Sequence, residues 1–274
     1  GVQIAVIHAP PHLQPRIEFI EGLLALLPRS ARFAVTFTTH SLASTDINAQ
    51  IRFIGGGNAP EKTLVYDWRN GTISGEKAED EYSRFVISQL RLDAELVIQR
   101  TSAMTHIAAY RINNGDRLAD ALGYAAKRLR IDEALRTNQP VNTNEVAKIL
   151  ANDPTLDDQL NQLYADHLLK FSLAMRNMEQ TESIALLLNK HPEIEQVALE
   201  QMALAQEQGE HEMVYDTIIT WLANPLGPQS TAWVDLLQKS GLALLEEIVE
   251  DNDIEDAEKF LDQLQSAGTT FPLD

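Results

Sequence analysis

The second half of the chain repeats one pattern: an apolar helix, a polar turn, a second apolar helix and often a proline. A single helical hairpin cannot bury its apolar face alone, so hairpins in series stack and shelter one another. The turns at Met178, Gly209 and Asn252 lie 31 and 43 residues apart, and the longer interval contains an insertion rich in proline and glycine. Such periods predict stacked helical hairpins. Three of the helical segments in this pattern end at a proline: Pro154, Pro192 and Pro225.

The net charge divides the chain near Pro140. The whole chain carries a net charge of −18. Residues 1–140 contain 16 Lys and Arg against 15 Asp and Glu, a net charge of +1, whereas residues 141–274 contain 6 against 25, a net charge of −19. A negative field repels phosphate backbones, so we expect no nucleic-acid partner for the second half. The acidic surplus either keeps an extended helical array soluble or attracts a basic partner.

Residues 1–77 predict a small α/β domain. Apolar residues over 17–27 recur at helical spacing, and Pro28 ends the helix. Residues 32–38 place two phenylalanines and a valine on one face of an alternating pattern, which predicts a strand. Further short apolar runs predict three more strands, at residues 4–7, 51–54 and 63–66.

The pair Asn70-Gly71 predicts a tight hairpin, because both residues tolerate the positive φ of a type I′ turn. The order β-α-β-β-β-β predicts a mainly antiparallel sheet with one helix against it. No strand pattern follows residue 77. The predicted fold class is therefore α+β: a small, mainly antiparallel α/β domain over residues 1–77, then an all-α helical-hairpin solenoid over residues 78–274.

The hairpins resemble degenerate tetratricopeptide repeats. Residues 203–225 run from Ala-Leu-Ala-Gln-Glu-Gln-Gly-Glu to Trp-Leu-Ala-Asn-Pro, similar to that family's turn, second helix and closing proline. Residues 248–257 resemble the turn and the small residue that opens a second helix. Residues 173–192 keep the length and the proline, but Met178 and Ser183 stand where the family has glycine and alanine. The family's aromatic and glycine signature early in the first helix is missing from every unit.

The resemblance covers roughly residues 100–265 and implies a right-handed superhelix. Its concave face, lined mostly by first helices, would bind a peptide or another protein. The residues on those helices that the resemblance offers for partner binding are Tyr164, His167, Lys170, Phe171, Gln201, Met202 and Gln206.

The function predicted first is therefore a non-catalytic scaffold or adaptor whose acidic helical-repeat arm binds a protein or peptide. The more specific version of this prediction is that the partner is basic. Two alternatives stay open. The first is an enzyme or small-ligand-binding module in the N-terminal domain, with the helices as a lid or oligomerisation element. Its pocket would be formed by the loops at residues 9–15, 39–48 and 55–62. The second is a structural subunit of a larger assembly.

Motifs for catalysis or cofactor binding are scarce. The three glycines at 55–57 follow a strand but lead to another strand, whereas a phosphate cradle needs a helix N-terminus next. No Gly-x-Ser-x-Gly elbow occurs. The chain has no cysteine, which rules out thiolate catalysis, disulfides and Cys-based metal sites. We predict no catalytic residue and no cofactor.

Histidines near the predicted strand ends raise the question of a metal site. If those strand ends meet, His8, His12 and His40 could bind a metal together with Asp46 or Asp67. No pair has the HxH or HExxH spacing that would arrange the ligands in advance, so no metal is predicted.

The sequence contains no apolar run of the roughly 18 residues that cross a bilayer, so no membrane span is expected. Cytoplasm is the favoured compartment, with periplasm or secretion left open. The chain opens on Gly1 rather than Met, which leaves open a removed signal segment.

Overall fold

The computed structural model describes residues 3–42, 47–55, 59, 61, 63–75, 80–174, 184–250 and 256–262. The strands are β1 (Gln3–Ile7), β2 (Phe37–Ser41), β3 (Ile51–Ile54), β4 (Thr63–Asp67) and β5 (Thr72–Ser74). The first six helices are α1 (Leu13–Ala25), α2 (Arg29–Arg32), α3 (Glu81–Leu90), α4 (Ala94–Ala103), α5 (Thr105–Asn113) and α6 (Leu118–Arg136). The others are α7 (Thr143–Asn152), α8 (Asp158–Ala174), α9 (described over 184–188), α10 (Pro192–Glu207), α11 (His211–Ala223), α12 (Thr231–Glu250) and α13 (256–262).

The chain divides into two compact units, residues 1–131 (unit 1) and residues 132–274 (unit 2). Unit 1 contains the sheet, helices α1 to α5 and most of α6. Unit 2 contains the helices that follow. The domain boundary predicted between residues 77 and 78 falls within residues 76–79, outside the described residues, and it stays a prediction.

The sheet is mixed, with the strand order β2-β3-β1-β4-β5. Strand β1 pairs in parallel with β3 and with β4, and β2 pairs in parallel with β3. Only the pairing of β4 with β5 is antiparallel among the described strands. The prediction of a mainly antiparallel sheet is therefore wrong. It treated strands that follow one another in sequence as neighbours, whereas β1 lies between β3 and β4.

The predicted hairpin at Asn70-Gly71 joins β4 to β5, but its turn type is wrong. Asp67 pairs with Thr72, so four residues separate the strands. Only Gly71 of the pair has a positive φ, at 63°. The Asp67 carboxylate accepts from the backbone N–H groups of Arg69 at 3.0 Å and Asn70 at 3.3 Å, which stabilises this longer turn.

The strand predicted over residues 32–38 begins later than expected. Residues 29–32 form α2, and Phe33, which the alternating pattern places on a buried face, is 94% exposed. The strand itself starts at Phe37. Pro28 explains the difference, since its fixed φ suits the start of a helix and its carbonyl accepts the N–H of Ala31 at 2.9 Å.

Helix α1 covers one face of the sheet. Val6 of β1 and Phe53 of β3 are buried against Ile20 of α1. The Phe19 ring lies 5.1 Å from the Trp68 ring and 5.4 Å from the Tyr66 ring, measured between centroids. This apolar layer positions α1 behind the strands, and so fixes where the loop between β1 and α1 runs.

Beyond the sheet, every element in residues 80–174, 184–250 and 256–262 is a helix, which confirms the α+β class in its broad form. The predicted turn at Gly209 carries a glycine with positive φ, at 84°, and so does the turn at Gly115, at 92°. The turns predicted at Met178 and Asn252 lie outside the described residues. No helix among those described is both long and apolar enough to cross a membrane.

Candidate functional site

Side-chain hydrogen bonds join helices of unit 2 at nearly constant sequence separation. We call this set of four bonds the ladder. The partners are 32, 32, 35 and 38 residues apart, close to one helical hairpin. The bonds are Tyr164 Oη to Asp132 Oδ1 (2.7 Å), Asn161 Nδ2 to Glu193 Oε1 (2.9 Å), Gln201 Nε2 to Asp166 Oδ1 (2.9 Å) and Trp233 Nε1 to Glu195 Oε1 (2.9 Å).

The ladder links the end of α6 to α8, α8 to α10 and α10 to α12, skipping the helices between them. Two bonds connect α8 with α10, and along both helices the bonded residues advance in the same direction. The two helices therefore run in the same sense. Each of α8, α10 and α12 packs against the next of the three. This order is the one expected when the first helices of successive hairpins stack side by side.

The predicted partner-binding residues fall into three groups. Tyr164 and Met202 are fully buried in the core of unit 2, so their side chains are not available to a partner. Lys170 and Phe171 are exposed, and Phe171 shows 42% of its surface. The remaining three are half-buried: His167, Gln201 and Gln206.

Asp166 brings two of the candidates together. Its Oδ2 atom lies 2.8 Å from Lys170 Nζ, and its Oδ1 accepts from Gln201 Nε2 of α10. Partial burial lowers the pKa of the neighbouring His167, with Asp166 acting to raise it and Lys170 to lower it. We call Asp166, His167, Lys170, Phe171 and Gln201 the Asp166 surface. Sequence analysis missed Asp166, although its position four residues before Lys170 is a helical ion-pair signal.

Glu193 of the ladder accepts hydrogen bonds from more than one side chain. It accepts from Asn161, and its Oε1 lies 3.1 Å from His191 Nδ1. Burial raises the pKa of Glu193, but bonds from its own backbone N–H, Asn161 and His191 outweigh burial and leave the pKa below the ordinary value of 4.5. Glu193 therefore stabilises the fold as an anion.

Acid should weaken the fold partly through Glu193. Because its folded pKa is depressed, its contribution is present above about pH 4.5 and is lost as the pH falls through the folded pKa. We expect the free energy of urea unfolding to fall less between pH 7 and pH 3 in Glu193→Gln than in the wild type. Glu207→Gln, an exposed change on the same helix, should follow the wild type. Parallel curves for all three proteins would contradict the assignment.

A cavity lies at the edge of the sheet where the parallel strands end, within unit 1. Its volume is about 570 Å³. It draws residues from all three loops expected to form a pocket in the N-terminal domain. The lining residues are Ile7, His8, Ala9, Pro11, Arg16, His40, Phe53, Ile54, Gly55, Ala59 and Val65.

The histidines considered for a metal site are only partly brought together. His8 and His40 both line the cavity, and His8 Nδ1 lies 3.0 Å from Asp67 Oδ1. His12 is the N-cap residue of α1, and Asp46 lies outside the described residues. Within the described part of the chain, no group of three or more His, Asp or Glu side chains could hold a metal ion.

Comparison with protein-family models, with curated proteins and with solved structures finds no match for this chain. The resemblance to tetratricopeptide repeats therefore stays a prediction, and a function for the chain rests on the geometry of the ladder, the Asp166 surface and the cavity.

Proposed function

We propose that this chain is a protein-interaction scaffold in which the helical hairpins of unit 2 bind a basic segment of a partner protein. The ladder is the observation that carries this proposal. Side-by-side first helices present one continuous surface built from similar units, and stacked hairpins commonly bind extended segments along such a surface. Hydrogen bonds between those helices would hold the surface in one shape before a partner arrives.

Charge supports a basic partner. Residues 141–274 carry a net charge of −19, and the exposed carboxylates at Asp158 of α8, Glu200 of α10 and Asp235 of α12 lie on the three first helices. A field of this sign raises the association rate of a cationic segment and disfavours an acidic one. Salt should therefore weaken the interaction.

The Asp166 surface supplies an anchor of the kind that interfaces use. Phe171 offers an exposed aromatic ring and follows Lys170 in the sequence of α8, and the ammonium group of Lys170 pairs with Asp166. Aromatic residues flanked by polar groups are enriched where binding energy concentrates. A partner carrying a Lys or Arg beside an apolar residue would compete with Lys170 for Asp166 and cover the Phe171 ring.

The test uses the full chain and a labelled 20-residue peptide rich in lysine, arginine and leucine. We expect fluorescence anisotropy to report binding at 50 mM NaCl and weaker binding at 500 mM. The double variant Asp166→Asn, Phe171→Ala should weaken binding about tenfold or more, since truncating an anchor typically costs about 1–2 kcal/mol. Asp166→Asn keeps the acceptor for Gln201 and removes the charge.

The matched control is Glu212→Gln, Leu226→Ala, which removes one carboxylate and one exposed apolar side chain elsewhere in unit 2. It should bind like the wild type. If both double variants bind equally, general attraction to an acidic arm explains the association and the Asp166 surface is not the site. Absence of peptide binding at low salt would contradict the scaffold proposal itself.

A further inference from the structure

Arg16 of α1 is fixed at the cavity by two backbone carbonyls. Its Nε donates to Pro10 O at 2.8 Å and its Nη1 donates to Thr39 O at 2.6 Å. Its guanidinium carbon also lies 5.8 Å from the centroid of the Phe53 ring. Carbonyls orient the guanidinium without neutralising it. Among the described residues, no carboxylate pairs with Arg16 and no group accepts from its Nη2, so a cation is held in place with donors to spare.

His8 follows β1 directly and adopts a φ of 54°. A residue other than glycine in this region is uncommon, and such strain concentrates at functional sites. Its Nδ1 is hydrogen-bonded to Asp67. Burial raises the pKa of Asp67, but the hydrogen bonds from His8 and Asn70 lower that pKa by more, so the carboxylate stays ionised. An ionised carboxylate only accepts hydrogen bonds. The proton therefore lies on Nδ1 of His8, and Nε2, which accepts in the neutral ring and donates in the imidazolium form, is left for another group.

His40 brings a second imidazole to the cavity from β2. The ring lies so close to Gly55 that a Cβ atom built there would be 2.6 Å from His40 Cε1. A larger residue at position 55 would displace the ring. The apolar side chains of Ile7, Ile54 and Val65 complete the walls. The cavity thus combines one fixed cation and two imidazoles with apolar surface, in a volume typical of small-molecule sites.

The strand order places this cavity where open sheets bind ligands. Ligands of such sheets lie outside the carboxyl ends of parallel strands, at the point where successive connections leave in opposite directions. Strand β1 is flanked by β3 on one side and β4 on the other. After β1 the chain passes through α1 to β2, which lies on the same side of β1 as β3. Strand β4 lies on the other side of β1. His8 stands at that point.

We propose that this cavity binds a small organic molecule through an oxyanion group, a phosphoryl or carboxylate group, with Arg16 as its principal contact and His40 as a further donor. The Nε2 atom of His8 adds a donor when the His8 ring is in its imidazolium form. The apolar walls take the body of the molecule. Charge disfavours a cationic ligand, because it would meet a guanidinium that no carboxylate of the described residues neutralises. The proposal is independent of the scaffold function, which rests on unit 2 alone.

Phenyl phosphate, benzoate and benzyl alcohol test it, because they share a ring and differ in the group attached. Isothermal titration with the full chain should give a Kd of about 1 mM or below for at least one anion, and no saturable binding of the alcohol. Tighter binding of phenyl phosphate assigns a phosphoryl ligand, and tighter binding of benzoate assigns a carboxylate. The Cε1–H resonances of His8 and His40 should shift during the same titration.

Arg16→Gln should weaken anion binding about tenfold or more, and His40→Ala about threefold or more. Arg16 also connects the β1–α1 loop to β2, so circular dichroism should be used to check that the Arg16→Gln variant folds. If that variant does not fold, His40→Ala decides, because no hydrogen bond of the described fold depends on His40. His12→Asn is the control: His12 is exposed, lies four residues from Arg16 and does not line the cavity. Its affinity should match the wild type.

Three results would overturn the proposal. The first is that the wild type binds neither anion at ligand concentrations of about ten times the expected Kd. The second is binding of benzyl alcohol as tight as that of the anions. The third is unchanged affinity in both the Arg16 and the His40 variants, or in His40→Ala alone where Arg16→Gln is unfolded.

Discussion

Replacement of Gly227 by alanine is expected to destabilise the protein by about 3 kcal/mol, a large effect for one methyl group. A Cβ atom at this position would lie 2.0 Å from the backbone oxygen of Trp221 and 3.0 Å from that of Asn224. Both neighbours are main-chain atoms, so no side chain can rotate to make room. The chain after α11 would have to move.

The surrounding turn has little freedom to do so. The Gly227 N–H donates to Asn224 O at 2.8 Å, and the Asn189 amide donates to the carbonyl oxygens of Leu226, at 3.3 Å, and of Gly227. A shift that accommodates a methyl group therefore costs hydrogen bonds as well. Urea unfolding followed by circular dichroism measures the loss.

Gly22→Ala is the matched control, since the same methyl group meets nothing within 4 Å in α1. Alanine in a helix interior should stabilise the protein by about 0.5–1 kcal/mol. The two substitutions are expected to move the urea midpoint in opposite directions. A Gly227→Ala protein within about 0.5 kcal/mol of the wild type would show that the turn adapts more freely than its packing indicates.

Helices were predictable because their signals are local. Asp80 caps α3 by accepting from the Ser83 N–H at 2.8 Å, and Asn142 caps α7 by accepting from the Asn144 N–H at 3.0 Å. Gly209 ends its helix with the positive φ that glycine tolerates best. Each of these contacts spans fewer than four residues, so the sequence alone carries it.

Strand pairing depended on contacts between distant residues. Ile4 lies opposite both Ile51 and Leu64, so the pairing of β1 follows from residues far along the chain. One signal was present and pointed to the correct answer. The run at 4–7 is continuously apolar rather than alternating, and continuous apolar strands are typical of parallel sheets covered on both faces.

The cavity illustrates the same limit. The three loops that form it could be named from the sequence, because loops that follow strands collect at sheet edges. Arg16 could not, since an arginine on an amphipathic helix ordinarily faces solvent. Its role depends on the Thr39 carbonyl, which only the position of β2 brings within reach. The ladder was hidden for a similar reason: its partners meet only after the helices have stacked.

Trp233→Ala should cost about 4 kcal/mol, the largest single effect we expect in unit 2. The side chain is fully buried, and its ring centroid lies 5.3 Å from that of Trp221 in an edge-to-face arrangement at 69°. Truncation removes this apolar surface and the ring contact together. It also removes the N–H that Trp233 donates to Glu195, leaving a partly buried carboxylate without that donor.

Trp233→Phe separates packing from the ladder. Phenylalanine keeps most of the ring volume and cannot donate to Glu195, so we expect a loss of about 1–2 kcal/mol. Leu242→Ala, an exposed change on the same helix, should stay within about 0.5 kcal/mol of the wild type. If Trp233→Phe and Leu242→Ala unfold at the same urea midpoint, the bond between α10 and α12 adds nothing to stability. Apolar packing, and not this bond, would then hold α10 against α12, and peptide binding at the Asp166 surface would be unaffected by Trp233→Phe. If the bond does fix the register of those helices, the same variant should weaken peptide binding although Trp233 itself is buried.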